Sequence, residues 1–211
     1  KDIGMFKKYS FLIIVLMLGG CATTESLKKQ YDGPGWQGYI STSVSEFDGT
    51  KTLNLEPAFL NDGASSLRLG LRWNNRMDKD QFLLVAEWRG ALNFSPDSDL
   101  RINIDSDIVG LKPLSSSQYG VTQQKTVMSN GPISIPVNIG NHTTKKYLIS
   151  KKLLNRIILA KKSVVRVEFL DTYTEVQIEP NKEAQSSYVL YPNIWSKYAF
   201  KLFLERLQVL I

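Results

Sequence analysis

The sequence predicts a β-rich α+β domain, an antiparallel sandwich or curled sheet with two packed helices near the C-terminus. Three observations carry this expectation. Apolar and polar residues alternate through much of residues 40–104, the period of a strand with one face in the core. After residue 150 the apolar spacing turns helical in two places. The chain has 211 residues, 43% hydrophobic and 22% charged, the composition of one ordinary domain and not of a disordered or collagen-like chain.

The strands follow in order. Ile40, Thr42 and Val44 alternate with serines, and Asp48-Gly49 reads as a hairpin turn into Thr52–Leu55. Leu67, Leu69, Leu71 and Trp73 alternate with Arg68, Gly70 and Arg72, which predicts a strand with one wet face. Phe82–Trp88 is a more continuous apolar run, expected as a central strand, with Leu92 and Phe94 extending it past a bulge at Gly90. Leu100, Ile102 and Ile104 alternate with Arg101, Asn103 and Asp105.

Residues 105–146 are richer in Gly, Ser, Asn and Gln and read as loops with short strands. Within them Ile133, Ile135, Val137 and Ile139 alternate, and Pro136 on the opposite face suits an edge strand. Ser150 can cap a helix carrying Leu153, Leu154, Ile157 and Ile158. Val165, Val167 and Phe169 form a strand, Asp171-Thr172-Tyr173 turns, and Val176 and Ile178 return. A final helix after Pro192-Asn193 aligns Trp195, Tyr198, Ala199, Leu202, Phe203, Leu207 and Leu210.

The N-terminal region has a different logic. Met5 reads as the initiator, with Lys1–Gly4 upstream of it. Lys7 and Lys8 precede the apolar stretch from Phe11 to Leu18, and small residues follow, the order of an export signal. The stretch is short of the ~20 apolar residues that span a bilayer. Leu18-Gly19-Gly20-Cys21 resembles the lipobox of bacterial lipoproteins, and the resemblance covers residues 5–21. It implies that Leu18, Gly19 and Gly20 form the signal-peptidase box and that the Cys21 thiol receives a diacylglyceryl group. Cleavage before Cys21 and acylation of the new amino terminus would follow. Two or three acyl chains hold a protein durably, because each buried CH₂ adds ~0.8 kcal/mol. Ala22 stands where an Asp would retain such a protein at the inner membrane, so the implied location is the outer membrane, facing the periplasm.

Three parts are therefore expected: a signal with upstream residues over 1–20, the lipidated Cys and tether over 21–38, and one β-rich globular domain over 39–211. The 191 residues from Cys21 onward carry 23 basic and 19 acidic side chains, a net charge of +4. Fully stretched, the tether reaches roughly 50 Å at ~3.3 Å per residue. Gly33, Gly35 and Gly38 match G-x-G-x-x-G, but no strand leads in and no helix leads out, so no nucleotide loop is read there.

Chemistry is sparsely signalled. Cys21 is the one cysteine, which excludes an internal disulfide framework, and His142 is the one histidine. His142 sits in a turn-like stretch with no nucleophile motif around it and reads as a locally bonded loop residue. Asp97, Asp99, Asp105 and Asp107 crowd eleven residues. Calcium is a possible use, but the EF-hand pattern is missing and turn and strand-edge roles explain them as well. Trp73, Trp88 and Trp195 are in phase with apolar neighbours and read as core, whereas Trp36 in the tether does not.

The distinctive feature is a basic block. Lys145, Lys146, Lys151, Lys152, Arg156, Lys161, Lys162 and Arg166 lie within 22 residues that hold no acid. They read either as a surface for lipid headgroups, lipopolysaccharide phosphates or an acidic protein, or as a solvated helix face with basic strand ends. The functional expectation is a non-enzymatic, lipid-anchored envelope protein that binds or scaffolds another envelope component. It has no metal, cofactor, catalytic residue or nucleic-acid partner, and its membrane partner is reached through acyl chains on Cys21. One alternative is a binding module for an anionic glycolipid or polysaccharide through 145–166, and another is an envelope hydrolase with scattered residues.

Overall fold

A computed structural model describes residues 37–61, 66–90, 92–114, 122–130, 133–179 and 195–211. Two antiparallel sheets and two helices enclose a continuous apolar cluster to which both sheets and both helices contribute. The expected β-rich α+β sandwich is therefore what forms, and the sheets are not closed into a barrel.

Strands β1 (Ile40–Val44), β2 (Lys51–Phe59), β3 (Leu67–Asn74) and β4 (Gln81–Arg89) form an antiparallel meander. Asp48 accepts from the Thr50 backbone N–H in the first hairpin, and Gly49 there takes φ +68°, the left-handed region open to glycine. β7 (Thr122–Asn130) and β8 (Ile133–Ser150) complete this sheet in the order β1-β2-β3-β4-β8-β7. The second sheet has the order β10-β9-β5-β6, with β5 (Leu100–Ile104), β6 (Asp107–Leu111), β9 (Ser163–Glu168) and β10 (Tyr173–Ile178). Helix α1 (Lys151–Leu159) runs directly out of β8, and α2 (Ser196–Leu210) ends the chain.

The inner face of the six-stranded sheet is covered in two halves. Over one, α2 packs on β2 and β3, with Phe203 edge-on to Phe82 at 5.7 Å between ring centroids. Over the other, Phe169 of the second sheet meets Trp88 at 4.8 Å and stacks on Phe94 at 5.7 Å. Ser150 caps α1 as expected, accepting from the Leu153 N–H at 3.2 Å.

Five expectations are corrected. The segment 105–146, read as loops with short strands, carries the short β6, the nine-residue β7 and most of β8, which runs on past the expected Ile133–Ile139 alternation to pair with the second edge of β4 from His142 onward. His142 accordingly lies in β8, in register with Arg89 and Thr122, and not in a turn. Pro136 pairs with Val127 of β7, and because β4 pairs only with His142–Ser150 this part of β8 has no second partner strand among the described residues, as expected of an edge. Leu92 and Phe94 do not extend β4: Gly90, at φ +156°, turns the chain toward the second sheet, where Phe94 bridges Phe169.

The remaining two corrections concern faces. The Arg68–Arg72 face of β3 is covered, not wet. A bulge between Leu55 and Ala58 brings β2 over Gly70, where a Cβ would stand 2.6 Å from the Leu55 carbonyl oxygen. Arg68 lies on the Phe59 ring at 4.4 Å and 4.0 Å from Glu87, while Arg72 donates to the Leu55 carbonyl and to Glu56. Burial pushes the Arg68 guanidinium down to about 10. On α2 the buried face is Ser196, Lys197, Ala199, Phe200, Phe203, Leu204 and Leu207, with Tyr198, Leu202 and Leu210 only half-buried.

Candidate anion-binding surface

The basic block divides according to strand parity and helix face. Lys145 and Lys146 are neighbours on β8 and point to opposite sides of the sheet. Lys146 is exposed, whereas Lys145 points inward and is buried. Its ammonium donates to the Ser95 and Ser98 carbonyl oxygens at 2.6 and 3.0 Å, with Asp97, Asp99 and Glu168 near enough to favour its charge. Burial nevertheless holds its pKa below the ordinary lysine value. The 95–99 loop is thus wrapped around an internal cation. Lys145 leaves the expected anion-binding set, and Asp97 and Asp99 face a lysine.

The other two aspartates are also engaged. Asp107 pairs with Arg156. Asp105 accepts from the backbone N–H groups of Lys162 and Lys161 at 2.8 and 3.2 Å, which holds its carboxyl below the usual carboxylate range. Among the described residues no group of three or more His, Cys, Asp or Glu side chains could hold a metal ion.

Asp105 and Ser106 form the tight β5–β6 turn, both at positive φ (48° and 79°). The turn stands against the α1–β9 connection, and Lys197 grips that connection from inside. Lys197 is 2% exposed and its ammonium donates to the Ala160 carbonyl oxygen at 2.6 Å. Ala160 is the C-cap of α1, where a cation also meets the negative end of the helix dipole. Burial lowers the Lys197 pKa, partly opposed by Asp105. Periodicity placed no charge inside α2, so this residue was missed. Its signal would have been a lysine among the apolar positions of the first turn.

Pinned by Asp105 and Lys197, the connection presents Lys161 and Lys162 to solvent. Neither enters an ion pair among the described residues. They rim a groove of about 750 Å³ on the outer face of the four-stranded sheet, whose floor carries Arg101 and Arg166. These two arginines are direct cross-strand partners between β5 and β9. Like charges so placed repel, and each has a carboxylate beside it. Arg166 donates to Glu175 at 2.7 Å and lies over the Tyr173 ring at 4.3 Å, and Arg101 approaches Glu168 at 3.7 Å. The Glu175 hydrogen bond raises the Arg166 pKa.

A smaller hollow of about 460 Å³ on the other side of Asp105 carries Lys152 and Arg156. Lys151 instead reaches back to Asp80 at 3.9 Å. Groove and hollow therefore gather Lys152, Arg156, Lys161, Lys162 and Arg166 of the basic block and add Arg101, which lies outside it. Cys21 and its box, Leu18, Gly19 and Gly20, lie outside the described residues, as do Trp36, Gly33 and Gly35. No described helix is long and apolar enough to cross a membrane. No family model, curated protein or solved structure matches the chain.

Proposed function

We propose that this chain is a lipid-anchored protein of a bacterial envelope, moored through Cys21, whose folded domain is non-enzymatic and binds an anionic envelope component. The observation that supports the binding role is the groove in which Arg101, Arg166, Lys161 and Lys162 converge against Asp105 and Glu175. These four cations outnumber the two carboxylates, so the groove keeps an excess of positive charge. Guanidinium pairs suit phosphate and carboxylate because they donate in a planar fork. The anchoring part is supported by the Leu18–Cys21 box and the signal order before it.

Each half has its test. Radiolabelled fatty acid should mark the wild-type chain and leave Cys21→Ala unmarked and uncleaved. For the domain, binding to an anionic polysaccharide and to purified lipopolysaccharide should weaken steeply with salt and collapse in an Arg101→Glu, Lys162→Glu double variant. Binding that ignores both salt and charge reversal would end the reading.

A further inference from the structure

We infer that the anionic component is the headgroup layer of a bilayer, and that the tip around the β5–β6 turn lies on it. This deepens the binding reading above and rests on it. The observation is that large apolar side chains stand exposed among the cations. Leu159, the last residue of α1, is 83% exposed in the smaller hollow, and Ile108 of β6 is 66% exposed in the groove. Both are excluded from the apolar core, although Leu153, Leu154 and Ile157 of the same helix are in it.

Asp105 belongs to groove and hollow alike, so they form one continuous surface around the turn. That surface bears six cations (Arg101, Lys152, Arg156, Lys161, Lys162 and Arg166) against the carboxylates Asp105, Asp107 and Glu175. Each of those carboxylates is already paired with a residue of this chain. A soluble polyanion would be satisfied by the cations alone. A membrane interface rewards both features, because headgroup phosphates attract the cations and the acyl boundary takes up Leu and Ile. The anchor and the tip would then fix how the domain stands on the membrane. The stretch from Cys21 to Gln37 spans at most roughly 50 Å at ~3.3 Å per residue, more than the width of roughly 40 Å expected of a domain this size, so the anchor leaves the tip free to face the same membrane.

The test uses the full chain reconstituted through its own anchor. Cys21 is the one thiol, and acylation blocks it, so single cysteines can carry an environment-sensitive dye. Leu159→Cys and Ile108→Cys report on the tip, and Phe47→Cys, at a fully exposed site in the β1–β2 turn, is the control. In vesicles of phosphatidylglycerol and phosphatidylethanolamine the dye emission should shift to the blue at 159 and 108 but not at 47. In phosphatidylcholine vesicles no position should shift. A Lys161→Glu, Lys162→Glu background should weaken the tip contact by roughly tenfold or more, read as the anionic-lipid fraction needed for half the shift. Absence of the shift at 159 and 108 on anionic vesicles overturns the inference. If such a protein still binds anionic polysaccharide in a salt-sensitive way, the groove reading survives without it. Dye reacting with the wild-type chain would instead count against acylation of Cys21.

Discussion

Two cation-bearing regions of the domain have opposite fates. In the interior, Lys145 and Lys197 are almost fully buried, and each ends on backbone carbonyl oxygens: those of Ser95 and Ser98 for one, that of Ala160 for the other. On the outer face of the four-stranded sheet, Arg101, Arg166, Lys161 and Lys162 keep their charge in water beside a groove. The interior cations act as struts, since a buried ammonium is tolerable only when its protons are received. Of the exterior ones, Lys161 and Lys162 are positioned by such a strut, since Lys197 fixes the Ala160 carbonyl just before Lys161, while Arg101 and Arg166 are set by β5–β9 pairing. Lysine thus supports the fold in one place and, beside arginine, supplies a surface in the other.

This contrast can be broken from the interior outward. The largest effect belongs to the apolar seam that both regions rest on: Phe203→Ala, at a fully buried ring against Phe82, should cost roughly 3–5 kcal/mol in denaturant unfolding. Lys145→Ala comes next. It leaves the Ser95 and Ser98 carbonyl oxygens without their donor and should cost about 1–3 kcal/mol. If Lys145→Ala proves as mild as a surface change, the strut interpretation fails.

The pH dependence sharpens the same division. Both buried lysines have pKa values lowered by desolvation, so the unfolded chain binds more protons below the ordinary value of 10.5. Their penalty is complete below the folded pKa and is relieved as pH rises toward 10.5, so stability gains with pH across that window. Lys197→Met should show a smaller gain than wild type in melts across alkaline pH. Asp105 has the opposite sign. Its carboxylate is favoured in the fold, so its contribution is present above the ordinary carboxylate range and is lost as pH falls through the lowered folded value. Asp105→Asn should flatten that acid limb. The smallest effect on stability belongs to the outer face: Lys162→Glu should move unfolding by less than ~0.5 kcal/mol while weakening binding to the anionic polysaccharide. A large loss of stability there would mean that the rim is structural.

The sequence made some elements legible and hid others for identifiable reasons. β2, β3, β5, β9 and β10 were readable from their alternation and β4 from its continuous apolar run, whereas β1 alternates in sequence although none of its residues is buried. The wet side expected of β3 was lost because a bulge in β2, which no periodicity records, covered it. β7 was concealed by a polar composition, and of β8 only the Ile133–Ile139 alternation was legible: its second part, His142–Ser150, is a strand because β4 required a partner on its second edge. The site was half visible. A run of bases without acids announced a positive region, but the run mixes the inward Lys145 with outward residues. Arg101, 65 positions before Arg166 in the chain, joins it only by strand pairing.

By itself the sequence determined the strand-rich composition and the capped α1 with its buried stripe, and it holds the Lys7–Cys21 pattern on which the anchoring proposal rests. These are local properties, written in neighbouring residues and in periods of two and 3.6. Only the tertiary structure decided which lysines serve the interior and which face water, and which arginines stand side by side. Those outcomes depend on register and on which elements cover a face, and such contacts between residues far apart in the chain have no signature in a local window.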